Sequence, residues 1–114
     1  MRVPSRLKSS TTIGETVTRT IPPIHPGEIL REEYLLPLRM SAGGLARKLN
    51  VPRTRIERLA AEETAVTTDT ALRLAKYFDT TPEFWMNLQT AYQIKVEAAS
   101  KHAEIAAIPV ISAA

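Results

Sequence analysis

Apolar residues recur at three- and four-residue spacing over most of this chain, a period that predicts helices. The first helix follows the stiff stretch Ile21-Pro22-Pro23-Ile24, where each proline restricts the residue before it. His25-Pro26-Gly27-Glu28 opens it, with Pro26 in the first turn and Glu28 near the positive end of the helix dipole. Ile29, Leu30, Tyr34 and Leu38 mark its buried face, and Pro37 ends it. Ser41 can cap a second helix whose stripe is Leu45, Ala46 and Leu49. Asn50 tolerates a left-handed backbone, and Pro52 has a φ preset for opening a third helix. There Ile56 and Leu59 face inward while Arg53, Thr54, Glu57 and Arg58 point away. Two short helices with a tight break between them form a helix-turn-helix.

Thr67 or Thr68 caps a fourth helix, with Asp69 in its first turn and Ala71, Leu72, Leu74, Ala75 and Phe78 as its core stripe. Arg73 and Lys76 stay outside it. Thr81-Pro82-Glu83 repeats the start signal for a long fifth helix. Trp85, Leu88, Tyr92, Val96, Ala99 and Ala103 follow at steps of 3, 4, 4, 3 and 4 on that helix. The first half of this seam covers the core. Past Tyr92 little chain is left to pack against, so the second half either meets a partner subunit or ends as a frayed, exposed tail. Ile108-Pro109-Val110-Ile111 adds an edge strand or stays without structure.

Composition narrows the class. A chain of 114 residues, 44% hydrophobic, is one folded domain with tails. Residues 1–20, rich in Ser, Thr and Arg, read as a flexible arm, with or without a role at a minor groove. The domain spans 21–96, and 97–114 is a C-terminal extension and tail. No cysteine is present, which excludes disulfides and thiol chemistry and suits a reducing cytoplasm. No apolar run approaches the roughly 18–20 residues that span a bilayer, so no membrane role is expected.

Charge then points to a partner. Residues 39–61 hold six basic side chains against Glu57 alone, a net of +5 in a chain whose total is +3. Positive charge thus gathers on the one unit shaped for a major groove. Arginine forks can bond guanine edges or clamp phosphates, and threonine can meet polar base edges or a thymine methyl. The alternative is a solvated basic face on an ordinary helical hairpin.

Catalysis has little to work with. His25 and His102 lie far apart, His25 reads as a turn or cap residue, and no metal-ligand set or Gly-rich phosphate loop occurs. Adjacent carboxylates such as Glu32-Glu33 and Glu62-Glu63 diverge by about 100° on a helix and make no ready acid–base dyad. No catalytic residue, metal site or cofactor is therefore expected.

The stretch from Ile24 to Val96 resembles the HigA antitoxins of bacterial toxin–antitoxin modules, within the larger Xre/Cro repressor family. The residues that carry the likeness are IHPGEILREEYLLPLRMS at 24–41, LARKLNVPRTRI at 45–56 and, above all, DTALRLAKYFDTTPEFWMNLQTAY at 69–92. The resemblance implies an all-α, five-helix, lambda-repressor-like domain that binds a palindromic operator in its own promoter as a homodimer. It also implies neutralisation of a small basic toxin similar to the RelE-like mRNA endonucleases. Carried over by position, Arg53, Thr54 and Arg58 would face base edges, and Ser41, Arg47 and Arg55 would hold phosphates. Trp85, Leu88, Tyr92, Val96 and Ala99 would line the dimer interface.

Two departures stand out. Ala42 replaces a polar residue common after the first cap, and Gly43-Gly44 follows, each glycine costing roughly 0.5–1 kcal/mol of helix stability relative to alanine. The loop that often clamps a phosphate is here Ala61-Glu62-Glu63-Thr64, whose carboxylates repel phosphate unless they pair with Arg55, Arg58 or another partner. Two other functions remain open: a solitary Xre-type regulator without a toxin, and a protein-interaction module with weakened DNA binding.

Overall fold

A computed structural model describes residues 21–112. Helix α1 covers residues 26–38 and is irregular: an α-turn at Pro26–Ile29, a π-helical stretch at Leu30–Leu35 and a last α-turn at Leu36–Leu38. His25 caps it, its Nδ1 accepting the Gly27 N–H at 2.8 Å. The N–H of Leu36 donates to Arg31 O, five residues back. That widened turn overturns two expectations. Pro37 does not stop the helix at its own position, because the α ladder is already displaced where proline lacks an N–H and its ring needs room. The helix runs on to Leu38 and ends when Arg39 turns left-handed at φ 54°. A π turn also takes up about one extra residue, so later positions are rotated about the axis. Leu38 is consequently 55% exposed, and Leu35 is buried in its stead.

The helix-turn-helix forms as its capping residues dictate. Helix α2, Ala42–Leu49, is capped by Ser41, whose Oγ accepts the Gly44 N–H at 2.9 Å. Asn50 turns left-handed at φ 61°, and α3, Arg53–Ala60, begins after Pro52. Leu45, Ala46, Leu49, Ile56 and Leu59 are all buried.

Helix α4, Thr68–Phe78, is capped by Thr67 through the Thr70 N–H. Its buried stripe is Ala71, Leu74 and Ala75, with Phe78 half-buried beside Tyr34. Leu72, expected in this stripe, is 55% exposed, since it sits about 100° round the helix from Ala71. Helix α5, Pro82–Ser100, is capped by Thr81. A kink at Lys101 separates it from a short sixth helix, α6, His102–Ala106, where one long helix was expected. Among the described residues no strand occurs, and residues 109–112 have no regular structure.

Trp85 is the centre of the core. It is fully buried, its Nε1 donates to Thr80 Oγ1 at 2.9 Å, and the Tyr34 and Phe84 rings lie 5.2 and 5.0 Å away. The expectation that Trp85 meets a partner subunit is therefore corrected: the protomer's own core takes up its whole surface. A second tie comes from Gln89, buried on α5, whose Oε1 accepts the Val66 N–H at 2.8 Å and pins the end of the loop after α3.

Candidate nucleic-acid interface

Helix α3 is amphipathic for a simple reason of angle. Ile56 and Leu59 fall on one side and enter the core, which leaves Arg53, Thr54 and Arg58 exposed on the other. The Arg53 side chain, 75% exposed, lies over Gly43 of α2, where an added β-carbon would come within 3.3 Å of its Cδ. Gly43 thus weakens its own helix but gives the arginine room. Glu57 accepts from Arg53 Nε at 2.7 Å, and among the described residues the two Nη groups have no partner. Arg47 and Lys48 on α2 and Arg58 on α3 form no ion pair among the described residues.

Two arginines from outside the hairpin hold it in place. Arg31 on α1 donates from Nη1 to Ala60 O at 2.6 Å, satisfying a carbonyl at the end of α3. Arg73 on α4 donates to Leu49 O at 2.9 Å and does the same for α2. Each helix of the motif is therefore closed by a charged donor from its neighbour, at the end where the dipole is negative. Helical period alone puts Arg73 outside the core and assigns Arg31 no part. A carbonyl partner 24 or 29 residues away leaves no trace in helical period. Gly27 adds a close approach: a β-carbon there would sit 1.8 Å from Leu59 O, so α1 crosses α3 backbone to backbone.

The expected contact residues separate into two groups. Ser41, Arg47, Arg53, Thr54 and Arg58 are all exposed. Arg55 is turned to the flank, where its Nη1 pairs with Asp69 Oδ2. The same oxygen accepts from Arg73 Nε at 3.0 Å. Hydrogen bonds from Arg73, and then from Arg55, hold the Asp69 carboxyl below its usual pKa. In the loop after α3, Glu62 adopts φ 65° and pairs with Arg31 Nη2 at 3.1 Å, so its charge is met by α1 rather than by Arg55 or Arg58. Close by, His25 is buried against Tyr92, ring centroids 4.7 Å apart. Burial lowers its pKa, while the Glu62 carboxylate and the Thr64 backbone oppose that shift.

A cationic helix held outward from a capped two-helix hairpin, on an all-α support, defines a helix-turn-helix protein. A helix-turn-helix family model matches residues 31–85. Virulence-associated protein I of Dichelobacter nodosus is 47% identical over 89 residues, 78% of this chain and 82% of that protein. The Pseudomonas aeruginosa antitoxin HigA with the higBA promoter superposes with a TM-score of 0.77 at 40% identity, over 79% of this chain and 99% of that one. An addiction module antidote protein of a HigA family from Coxiella burnetii gives 0.76 at 46% identity, over 81% and 100%. The chain belongs to the HigA family of Xre-type helix-turn-helix proteins.

Proposed function

We propose that this protein binds a palindromic operator in its own promoter as a homodimer and neutralises a small basic, RelE-like mRNA-cleaving toxin. The observation that carries the DNA half is the pose of α3. Arg53, Thr54 and Arg58 face solvent on a helix whose back is buried and whose end is fixed by Arg31. In this reading those three side chains meet base edges, and Ser41 and Arg47 at α2 meet phosphates. The relative that gives the reading its target is the Pseudomonas antitoxin described with promoter DNA. In this reading the present chain acts in the cytoplasm, where it would meet its promoter. Pairing of Glu62 with Arg31 lessens the repulsion expected from the acidic loop, since a paired carboxylate presents less net charge to a phosphate.

The test is a gel shift with the DNA upstream of the chain's own gene. Binding at low salt and its loss in the double variant Arg53→Ala/Arg58→Ala is the expected result. Each base-contacting arginine removed should weaken binding by about 1–3 kcal/mol. A natural chain that shifts nothing at low salt refutes the DNA half. The toxin half is tested separately, by co-purification with the product of the adjacent gene and by protection of mRNA from it.

A further inference from the structure

Arg55 differs from the other cations of α3 in both position and partner. It lies about 100° round the helix from Thr54, on the flank that faces the start of α4 rather than on the outward arc. Its Nη1 bonds Asp69 Oδ2, which also takes Arg73 Nε. Arg73 in turn bonds Leu49 O at the end of α2. One carboxylate thus joins the third, fourth and, through Arg73, second helices. It forms a wall of the shallow groove between α3 and α4 that Thr54, Arg58 and Thr67 also line.

We infer that Asp69 is a specificity-determining positioning residue: it turns Arg55 into a strut between α3 and α4 and withholds that cation from DNA phosphates. This rests on the DNA-binding reading above. A phosphate contact carries no sequence information, so a freed Arg55 would strengthen binding to every duplex alike. Asp69 therefore lowers the non-specific background while leaving the base-reading side chains untouched. Exposed ion pairs hold weakly one at a time. Here Arg73, bonded also to Leu49 O, fixes the Asp69 carboxylate beside Arg55 and keeps its charge paired when Arg55 is removed.

Fluorescence anisotropy over a salt series decides it, using the upstream promoter duplex and a scrambled duplex of the same length. Arg55→Ala should change affinity for either duplex by less than about twofold and leave the slope of log K against log salt unaltered. Asp69→Asn should tighten the scrambled duplex by about three- to tenfold and steepen the slope by roughly 0.9 for each arginine released onto a phosphate. Adding Arg55→Ala to Asp69→Asn should remove that gain. The inference is overturned if Arg55→Ala alone flattens the slope by about 0.9, or if the Asp69→Asn gain is absent or survives the second substitution. Should Asp69→Asn unfold the chain, the Arg55→Ala slope alone decides. A natural chain that binds neither duplex defeats the DNA-binding reading itself, and this inference with it. Binding by the natural chain with loss in Arg55→Ala defeats only the role given to Asp69.

Discussion

His25 shows how one side chain can serve a turn and the packing beneath it. As a cap it accepts from Gly27, which needs Nδ1 unprotonated, and as a buried ring it packs edge-on against Tyr92. Both roles favour the neutral imidazole, as does the nearby Arg31, while the Glu62 carboxylate and the Thr64 backbone favour the cation. Because the folded pKa lies below the unfolded value of about 6.5, the unfolded chain takes up the proton first as pH falls. Stability should therefore be constant above about pH 7, fall as pH drops through 6.5 toward the folded pKa, and level off below it. Thermal melts from pH 8 to pH 5 should show that loss, and His25→Gln should flatten it. A melting temperature of the natural chain independent of pH over this range would refute the account. The cap itself was legible in the sequence, since His25 precedes Pro26 at a helix start. Its contact with Tyr92 was not, because the two lie 67 positions apart and meet only when α5 folds back over α1.

At the scale of elements, helix ends were easier to read than helix faces. Ser41, Asn50, Thr67 and Thr81 all act where local chemistry places them, since a cap depends on groups within three or four residues. Leu38 and Leu72 went the other way, for different reasons. The π turn in α1 shifts the register behind Leu38, and Leu72 borders the stripe of α4 without belonging to it. The contact of α1 with α3 depends on Gly27, and Gly27→Ala tests it. With backbone as the obstacle, the helices must part, and a loss of about 2–3 kcal/mol is expected by denaturant titration. A loss under about 0.5 kcal/mol would mean that α1 can shift freely, and that α3 is not held where it appears. The arginine closures at Ala60 and Leu49 belong to this scale too.

At the scale of the whole molecule, an apolar strip at the C-terminal end of α5 lacks a cover among the described residues. Val96, 38% exposed, lies there with Ala99 on one side of α5, whereas Ile94, 62% exposed, falls about 200° round the helix on the opposite side. With Trp85 taken by the core, the proposed interface reduces to Leu88, Tyr92, Val96 and Ala99, of which the last two face solvent. A second copy covering this face would also present two copies of α3 to one duplex, as a palindrome requires. Val96→Asp should then give a monomer by sedimentation and weaken operator binding, with the thermal melt of the protomer little changed. A dimer that persists in this variant places the interface elsewhere.

What the sequence determined alone is what local chemistry can carry: caps, the break between α2 and α3, the inward pair Ile56 and Leu59, and an excess of positive charge on that hairpin. Tertiary structure decided where each arginine spends its charge. Arg53 and Arg58 stay outward, Arg55 and Arg73 converge on Asp69, and Arg31 crosses to Ala60 and Glu62. The physical reason is reach: a guanidinium on a flexible stem bonds whatever oxygen folding brings near, and that oxygen is set by the packing of distant helices rather than by neighbours in sequence.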